Sequence, residues 1–251
     1  MSRPLASKHL LAGKLCLVTG GSRGIGRAIA EAYAEQGAKL ALVARTTSQL
    51  EETAESCRKL GAPEAHVFAV DLTDGKQLAD LVKQLEAKFQ MVNVLVNNAG
   101  MMSKSGSTPR EGDAAEEEML LKLNTLAPMR LTRLVTPKMV EAKEGLIVNV
   151  GSVAALEPMS SVCDYAASKW GLRGWSLSCH ENLRKDNIKV VIIHPGMVRT
   201  DMTTSDKTEA SAQKRMIQPT DIAEAALLAV RMSPSAVPNE ITVRPGPPVF
   251  G

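Results

Sequence analysis

Seven short runs of β-branched and aliphatic residues, separated by stretches of helical length, constrain this chain more than any other feature. They are KLCLVTG (14 to 20), AKLALVAR (38 to 45), AHVFAVDL (65 to 72), VNVLVNNAG (92 to 100), GLIVNVGS (145 to 152), KVVIIHPG (189 to 196) and EITVRP (240 to 245). Near-continuous apolar character marks strands covered on both faces, and the regular return of helical stretches between them predicts β-α units on a parallel sheet. Leu78, Leu81, Val82, Leu85 and Phe89 follow helical spacing with Thr73 or Asp74 placed to cap the start, and Ile25, Ile29, Ala32 and Tyr33 form a similar stripe that Gly37 is positioned to end. Pro128 and Pro137 are expected to kink or divide the helical stretch between about 116 and 142. There is no internal repeat and no linker rich in Gly, Ser or Pro, so residues 1 to 251 are read as one α/β domain, doubly wound, with a seven-stranded parallel sheet. Two polar segments, 101 to 118 and 201 to 217, follow predicted strands and fall at the carboxyl edge of the sheet, where ligands bind in this architecture.

Composition closes several functional classes. Thirty basic residues are scattered among 27 acidic ones, for a net charge of +3, so no basic stripe is offered to nucleic acid. Three Phe, two Tyr and two Trp are too few for base-stacking platforms. Cys16, Cys57, Cys163 and Cys179 contain no CxxC pair, and His9, His66, His180 and His194 no HExxH, so no metal site is expected. No apolar run reaches the roughly 18 residues of a membrane span, and MSRPLASKHLLAGK lacks a signal-peptide core, which predicts a soluble chain of the cytoplasm or an organellar matrix.

Thr19-Gly20-Gly21-Ser22-Arg23-Gly24-Ile25-Gly26 sits between the first strand and the first helix. Glycines there let the backbone approach a phosphate, and the helix N-terminus offers unpaired N–H groups. Three motifs compete for these residues. A Walker A loop needs Lys followed by Ser or Thr after Gly26, where this chain has Arg27 and Ala28. A nucleophile elbow fits Gly20-Gly21-Ser22-Arg23-Gly24, with Asp164 or Asp186 and His194 in the chain order of a serine hydrolase, although an elbow normally follows an interior strand. The usual GxGxxG fingerprint fails on spacing.

A second constellation lies downstream. Ser152 ends the fifth predicted strand, and Tyr165 and Lys169 stand four apart at the start of a predicted helix, hence on one helical face. A phenol beside an ammonium has its pKa pulled down from about 10, and then exchanges a proton with an alcohol or ketone oxygen near neutral pH.

With these residues the sequence resembles the classical short-chain dehydrogenases/reductases over nearly its whole length. The family's TGxxxGxG loop is matched by Thr19 to Gly26, its NNAG motif by Asn97-Asn98-Ala99-Gly100, its active-site Asn, Ser and YxxxK by Asn124, Ser152 and Tyr165-Ala166-Ala167-Ser168-Lys169, and its PG turn by Pro195-Gly196, followed by Thr200. The resemblance implies a Rossmann-type fold and an NADP-dependent oxidoreductase reducing a ketone or aldehyde reversibly. Asn124, Ser152, Tyr165 and Lys169 are the implied catalytic residues, with Tyr165 as general acid/base, Ser152 orienting the substrate oxygen, Lys169 lowering the Tyr165 pKa and holding the ribose, and Asn124 supporting a proton relay. The implied cofactor contacts are Gly20, Ser22, Arg23, Gly24, Ile25 and Gly26 of the loop, Arg45 and Thr46, Asp71 and Leu72 beside the adenine, Asn97, Ala99 and Gly100, Tyr165 and Lys169, and Pro195, Gly196, Val198 and Thr200. A homotetramer or dimer is implied by analogy.

The preference for NADPH also has a direct argument. An acidic residue about 20 positions beyond the glycine loop binds the ribose hydroxyl of NAD, whereas the second strand here ends in Val43-Ala44-Arg45-Thr46-Thr47, with Glu51 and Glu52 inside the next helix. Arg45, Arg23 and the two threonine hydroxyls suit a dianionic phosphate. The last strand, Ile241-Thr242-Val243-Arg244-Pro245, departs from the VDGG-like ending of acyl-carrier reductases, which leaves a 3-oxoacyl thioester reductase as the alternative within the family. Outside it stand the serine hydrolase built on Ser22 and a nucleotide-sensing protein that keeps the fold without turnover.

Overall fold

The computed structural model describes residues 9–103, 106–204 and 208–249. Seven strands, β1 (Leu15–Thr19), β2 (Lys39–Ala44), β3 (Ala65–Ala69), β4 (Val94–Asn97), β5 (Gly145–Val150), β6 (Ile188–Pro195) and β7 (Glu240–Val243), form one sheet in the order β3-β2-β1-β4-β5-β6-β7. Every pairing is parallel. From β1 the chain first builds outward through β2 and β3, then returns to lay β4 on the other side of β1. The carboxyl ends of β1 and β4 therefore flank the point where strand order reverses, the crevice in which open α/β sheets hold ligands.

Helices α1 (Gly24–Glu35), α2 (Thr47–Lys59) and α8 (Pro219–Arg231) cover one face, and α3 (Gly75–Phe89), α5 (Ala127–Ala142) and α6 (Cys163–Leu183) the other. Alternation along the strands explains why both faces are apolar. Cys16 and Val18 pack with Ile29 and Tyr33 of α1, whereas Leu15 and Leu17 pack with Leu78, Leu81 and Leu85 of α3. The helix ends follow their capping chemistry. Asp74 accepts hydrogen bonds from the N–H groups of Lys76 and Gln77 at 2.8 and 3.2 Å, and Gly37 takes the left-handed φ of +77° just beyond α1.

The long helical stretch breaks where the first of its prolines requires. After α4 (Ala114–Leu121), residues Lys122–Leu126 form a π-type turn before α5 begins. Pro128 has no N–H to return to the carbonyl of Asn124, four residues earlier, so the regular ladder fails at Asn124. Pro137 divides nothing. It lies on the exposed side of α5, as does Arg133, whose freed carbonyl water can satisfy. A short helix, α7 (Ala210–Arg215), follows β6, and its Ala212, with Met216, packs on Val249 and Met197 to make a small separate core under the C-terminal tail. No helix among the described residues is long and apolar enough to cross a membrane.

Candidate active site

The site grows from the ends of β1, β4 and β5. Thr19, the last residue of β1, is 3% exposed, and its hydroxyl donates to the carbonyl of Val96 at 3.1 Å while accepting from the N–H groups of Asn98 and Ala99 at 3.0 and 3.1 Å. The Asn98 side-chain amide donates back to the carbonyls of Thr19 and Gly20, at 3.0 and 3.3 Å. The glycine loop is thus stapled to the Asn97–Gly100 turn. Sequence reasoning missed both staples, because each bond joins residues nearly 80 positions apart and no local pattern announces it.

Within the loop Gly20 and Gly24 have left-handed φ values of +64° and +56°, and a Cβ on Gly26 would lie 2.2 Å from the Gly20 carbonyl oxygen. Arg23 is the N-cap of α1 and its side chain makes no cap hydrogen bond, so the first-turn N–H groups have no partner from the cap side chain. Such an arrangement suits a pyrophosphate. Gly26→Ala is expected to force backbone movement costing about 1–3 kcal/mol and to weaken dinucleotide binding; urea unfolding and fluorescence titration with NADPH check both effects.

The second half of the site hangs on β5 and α6. Ser152 follows β5, its Oγ accepting from the N–H of Ala154 at 3.1 Å and lying close enough to the Tyr165 phenol to lower its pKa. Lys169 is 5% exposed, donates from Nζ to the carbonyl of Val150 at 3.0 Å and stands 5.7 Å from the centre of the Tyr165 ring. Burial pushes its pKa down to about 8. The expectation that Lys169 pulls the phenol downward is corrected: burial raises the Tyr165 pKa, and the Ser152 side chain is what partly offsets it. The Lys169 ammonium faces the ring and a main-chain carbonyl, and Tyr165 stays a neutral acid.

Asn124 is fully buried in the π-type turn, its Oδ1 accepting from the N–H of Met101 at 2.8 Å and its Nδ2 donating to the Met101 carbonyl and Ser168 Oγ at 2.9 and 3.1 Å. A Cβ on Gly100 would come within 3.1 Å of Asn124 Oδ1 and 3.6 Å of Lys169 Nζ, so a bare backbone at 100 is what keeps these groups close. Asn124, Ser152, Tyr165 and Lys169 are therefore brought to one place.

These features decide among the motifs that compete for the sequence. The profile of the family described as short chain dehydrogenase matches residues 14–211. The chain belongs to the short-chain dehydrogenase family. An uncharacterized oxidoreductase of Staphylococcus saprophyticus is 34% identical over 235 residues, covering 94% of this chain and 98% of that protein. One from Staphylococcus aureus is 31% identical over 236 residues, covering 94% and 99%. Among solved structures, a metagenomic short-chain oxidoreductase in complex with NADP superposes with a TM-score of 0.82 at 34% identity, covering 94% of this chain and 99% of that one. An alcohol dehydrogenase from the archaeon Thermococcus sibiricus, complexed with 5-hydroxy-NADP, gives 0.84 at 26% identity, covering 93% and 97%.

As a short-chain dehydrogenase the chain is an oxidoreductase, and the hydrolase reading fails on geometry as well. His194 uses its two ring nitrogens on the Ser152 carbonyl and Glu240, Asp186 pairs with Lys143, and Asp164 Oδ1 accepts from the N–H of Tyr165 at 2.6 Å, so no base is assembled on Ser22. Two other expected site residues have side chains with partners inside the protein. Asn97 turns its amide into the core, donating to Asn149 and Thr132 at 2.8 and 3.3 Å, which makes its side chain a strut between β4, β5 and α5. Arg23 pairs with Asp201 at 2.8 Å across the cleft. Arg45 is exposed beyond β2, Thr46 caps α2 without a side-chain bond, Asp71 holds Thr73 at 2.9 and 2.7 Å, and Leu72 is buried. Beyond β6, the N–H of Gly196 donates to the Val243 carbonyl at 2.8 Å and Val198 is buried, while the Thr200 methyl would sit 3.2 Å from a Cβ on Gly24.

Proposed function

We propose that this protein is an NADPH-dependent reductase of ketone and aldehyde carbonyls, acting reversibly, with Tyr165 as general acid. The observation that carries the reading is the Tyr165 phenol, its pKa raised by burial, with Ser152 beside it and the buried Lys169 5.7 Å from its ring at the carboxyl edge of the sheet. The glycine loop, the uncapped start of α1, and Arg45 with Thr46 suit NADPH, as does the NADP-type molecule in both solved relatives. Gly20 to Gly26 would hold its pyrophosphate, Arg45 and Thr46 its 2′-phosphate, Asp71 and Leu72 border its adenine, and Ala99, Gly100, Pro195, Gly196, Val198 and Thr200 line its remainder. When bound, it supplies the hydride that the carbonyl carbon receives.

Tyr165 protonates the developing alkoxide, Ser152 orients that oxygen, and the Lys169 ammonium would hold the cofactor's ribose. Asn124 holds the turn beside Lys169 through which the proton is replaced. Oxidation of reduced nicotinamide, followed by absorbance with a panel of aldehydes and diketones and an ester panel in parallel, tests the reading; ester cleavage without cofactor oxidation would overturn it. Ser22→Ala is expected to leave the kcat of reduction within about twofold of the parent, since Ser22 holds cofactor and is not at the reacting atoms, whereas a hydrolase nucleophile would be abolished.

Lys169 is charged below its pKa of about 8 and neutral above it. Reduction is therefore expected to fall as pH rises through about 8, and Lys169→Arg to shift that fall upward, because a guanidinium keeps its charge; a pH profile of kcat/KM for both proteins checks this. Assembly as a dimer or tetramer belongs to the same proposal. Exposed Leu121, Leu126 and Trp170 on α4, the π-type turn and α6 support it, and light scattering at micromolar concentration tests it.

A further inference from the structure

His194, at the end of β6, is fully buried, and each of its ring nitrogens meets an oxygen that only accepts. Nδ1 lies 3.1 Å from the main-chain oxygen of Ser152, and Nε2 lies 3.0 Å from Oε1 of Glu240. Glu240, at the start of β7, is gripped in turn by Arg173 of α6, with Nε 2.7 Å from Oε1 and one Nη 3.4 Å from Oε2, and Arg173 also donates to the carbonyl of Ala155 at 3.3 Å. Gly151 leaves room for the ring, since a Cβ there would lie 2.8 Å from Nδ1.

A neutral imidazole carries one N–H. With a carbonyl on one nitrogen and an ionised carboxylate on the other, it leaves one contact with lone pair facing lone pair, and only the imidazolium donates to both. In the neutral ring the proton stays on Nε2, where the carboxylate makes the stronger charge-assisted bond, and the hold on Ser152 is lost.

We propose that His194 is a positioning residue for Ser152, its protonated ring clamping the serine's carbonyl so that the hydroxyl stays aimed at Tyr165 and the substrate oxygen. The functional part of this inference rests on the reductase reading of Ser152 and Tyr165. The charged groups acting on the ring are Glu240 from β7 and, behind it, Arg173 from α6, while the chain leaving β5 presents the backbone of Gly151 and Ser152. Burial holds the His194 pKa below the ordinary imidazole value against the upward pull of Glu240 and the Ser152 carbonyl. The clamp therefore tightens as pH falls through a midpoint below about 6.5, separate from the Lys169 step near 8.

The test uses the full chain. Among the four histidines, the His194 ring signal in proton NMR is the one missing from His194→Gln. Because the N–H of Ala154 donates to Ser152 Oγ, its amide resonance is expected to titrate with the His194 midpoint in the parent and to be flat in His194→Gln. In kinetics, His194→Asn, which places an amide N–H where Nδ1 stood, is expected to hold kcat near the acid-side level with no step at that midpoint. His194→Gln, which reaches only toward Glu240, is expected to lose about tenfold in kcat below the His194 midpoint, the worth of one hydrogen bond, with the KM for NADPH unchanged. Should both variants unfold, Glu240→Gln lowers the His194 midpoint and carries the kcat step with it. An Ala154 resonance indifferent to His194, or equal losses in the Asn and Gln variants, overturns the clamp. A parent that reduces no carbonyl while Ala154 still follows His194 overturns the reductase reading and leaves the clamp standing.

Discussion

Replacing Tyr165 with phenylalanine is expected to lower carbonyl reduction by about 10²- to 10⁴-fold, the range general acid catalysis contributes, while NADPH binding and the unfolding midpoint stay close to those of the parent. The substitution removes one oxygen and keeps the ring against which Lys169 Nζ stands at 5.7 Å. Ser152 does not replace the lost acid. Its hydroxyl has a pKa far above that of a phenol, and it already accepts from the N–H of Ala154. Lys169 does not replace it either, since its Nζ is turned to the Val150 carbonyl at 3.0 Å. The deficit therefore belongs to kcat and kcat/KM together, the mark of an interaction made in the transition state. Steady-state kinetics beside thermal unfolding check the expectation, and turnover within a factor of two of the parent would remove Tyr165 from its role.

What the sequence reveals of this site follows from the range over which each interaction acts. Strands buried on both faces need apolar residues at every position, so LCLVT, KLALVA and KVVIIHP are legible without a partner. Tyr165 and Lys169 share one helix, so their spacing alone puts them on one face. The break at Lys122–Leu126 was half legible: Pro128 foretold it, but not that the loosened turn would carry Asn124 into contact with Met101 and Ser168. Contacts set by the sheet order were hidden. Thr19 meets Asn98 because β1 lies beside β4, and His194 meets Glu240 because β6 lies beside β7, a pairing that turned a candidate hydrolase base into a neighbour of Ser152. The Tyr165 pKa went the other way from the sequence reading for a similar reason, since spacing tells which charge is near but not how deeply the phenol is buried.

Cofactor preference is where an exposed side chain is expected to have the larger effect on binding. Arg45 stands just past the last residue of β2, on the strand beside β1 whose end begins the glycine loop, and is exposed. No carboxylate follows it until Glu51 and Glu52, both exposed within α2. The site thus lacks the acid that would bind a ribose hydroxyl and repel a phosphate. Thr46 adds a hydroxyl and begins α2 without using its side chain as a cap, and the helix start adds the positive end of its dipole. Arg23, the other candidate, is paired with Asp201, which leaves the discrimination to Arg45 unless that exposed pair opens. A hydrogen bond to a charged group is worth roughly 1.5 to 3 kcal/mol, so Arg45→Ala is expected to raise the KM for NADPH by about 10- to 150-fold and to leave that for NADH nearly unchanged. Exposure makes the effect salt-dependent, and the gap between the two cofactors narrows as ionic strength rises. Asp201→Ala, which frees Arg23 for the same phosphate, is expected to lower the KM for NADPH and to soften the loss in an Arg45→Ala background. Comparable kcat/KM values for NADH and NADPH in the parent protein would refute the assignment of Arg45, whatever either variant does.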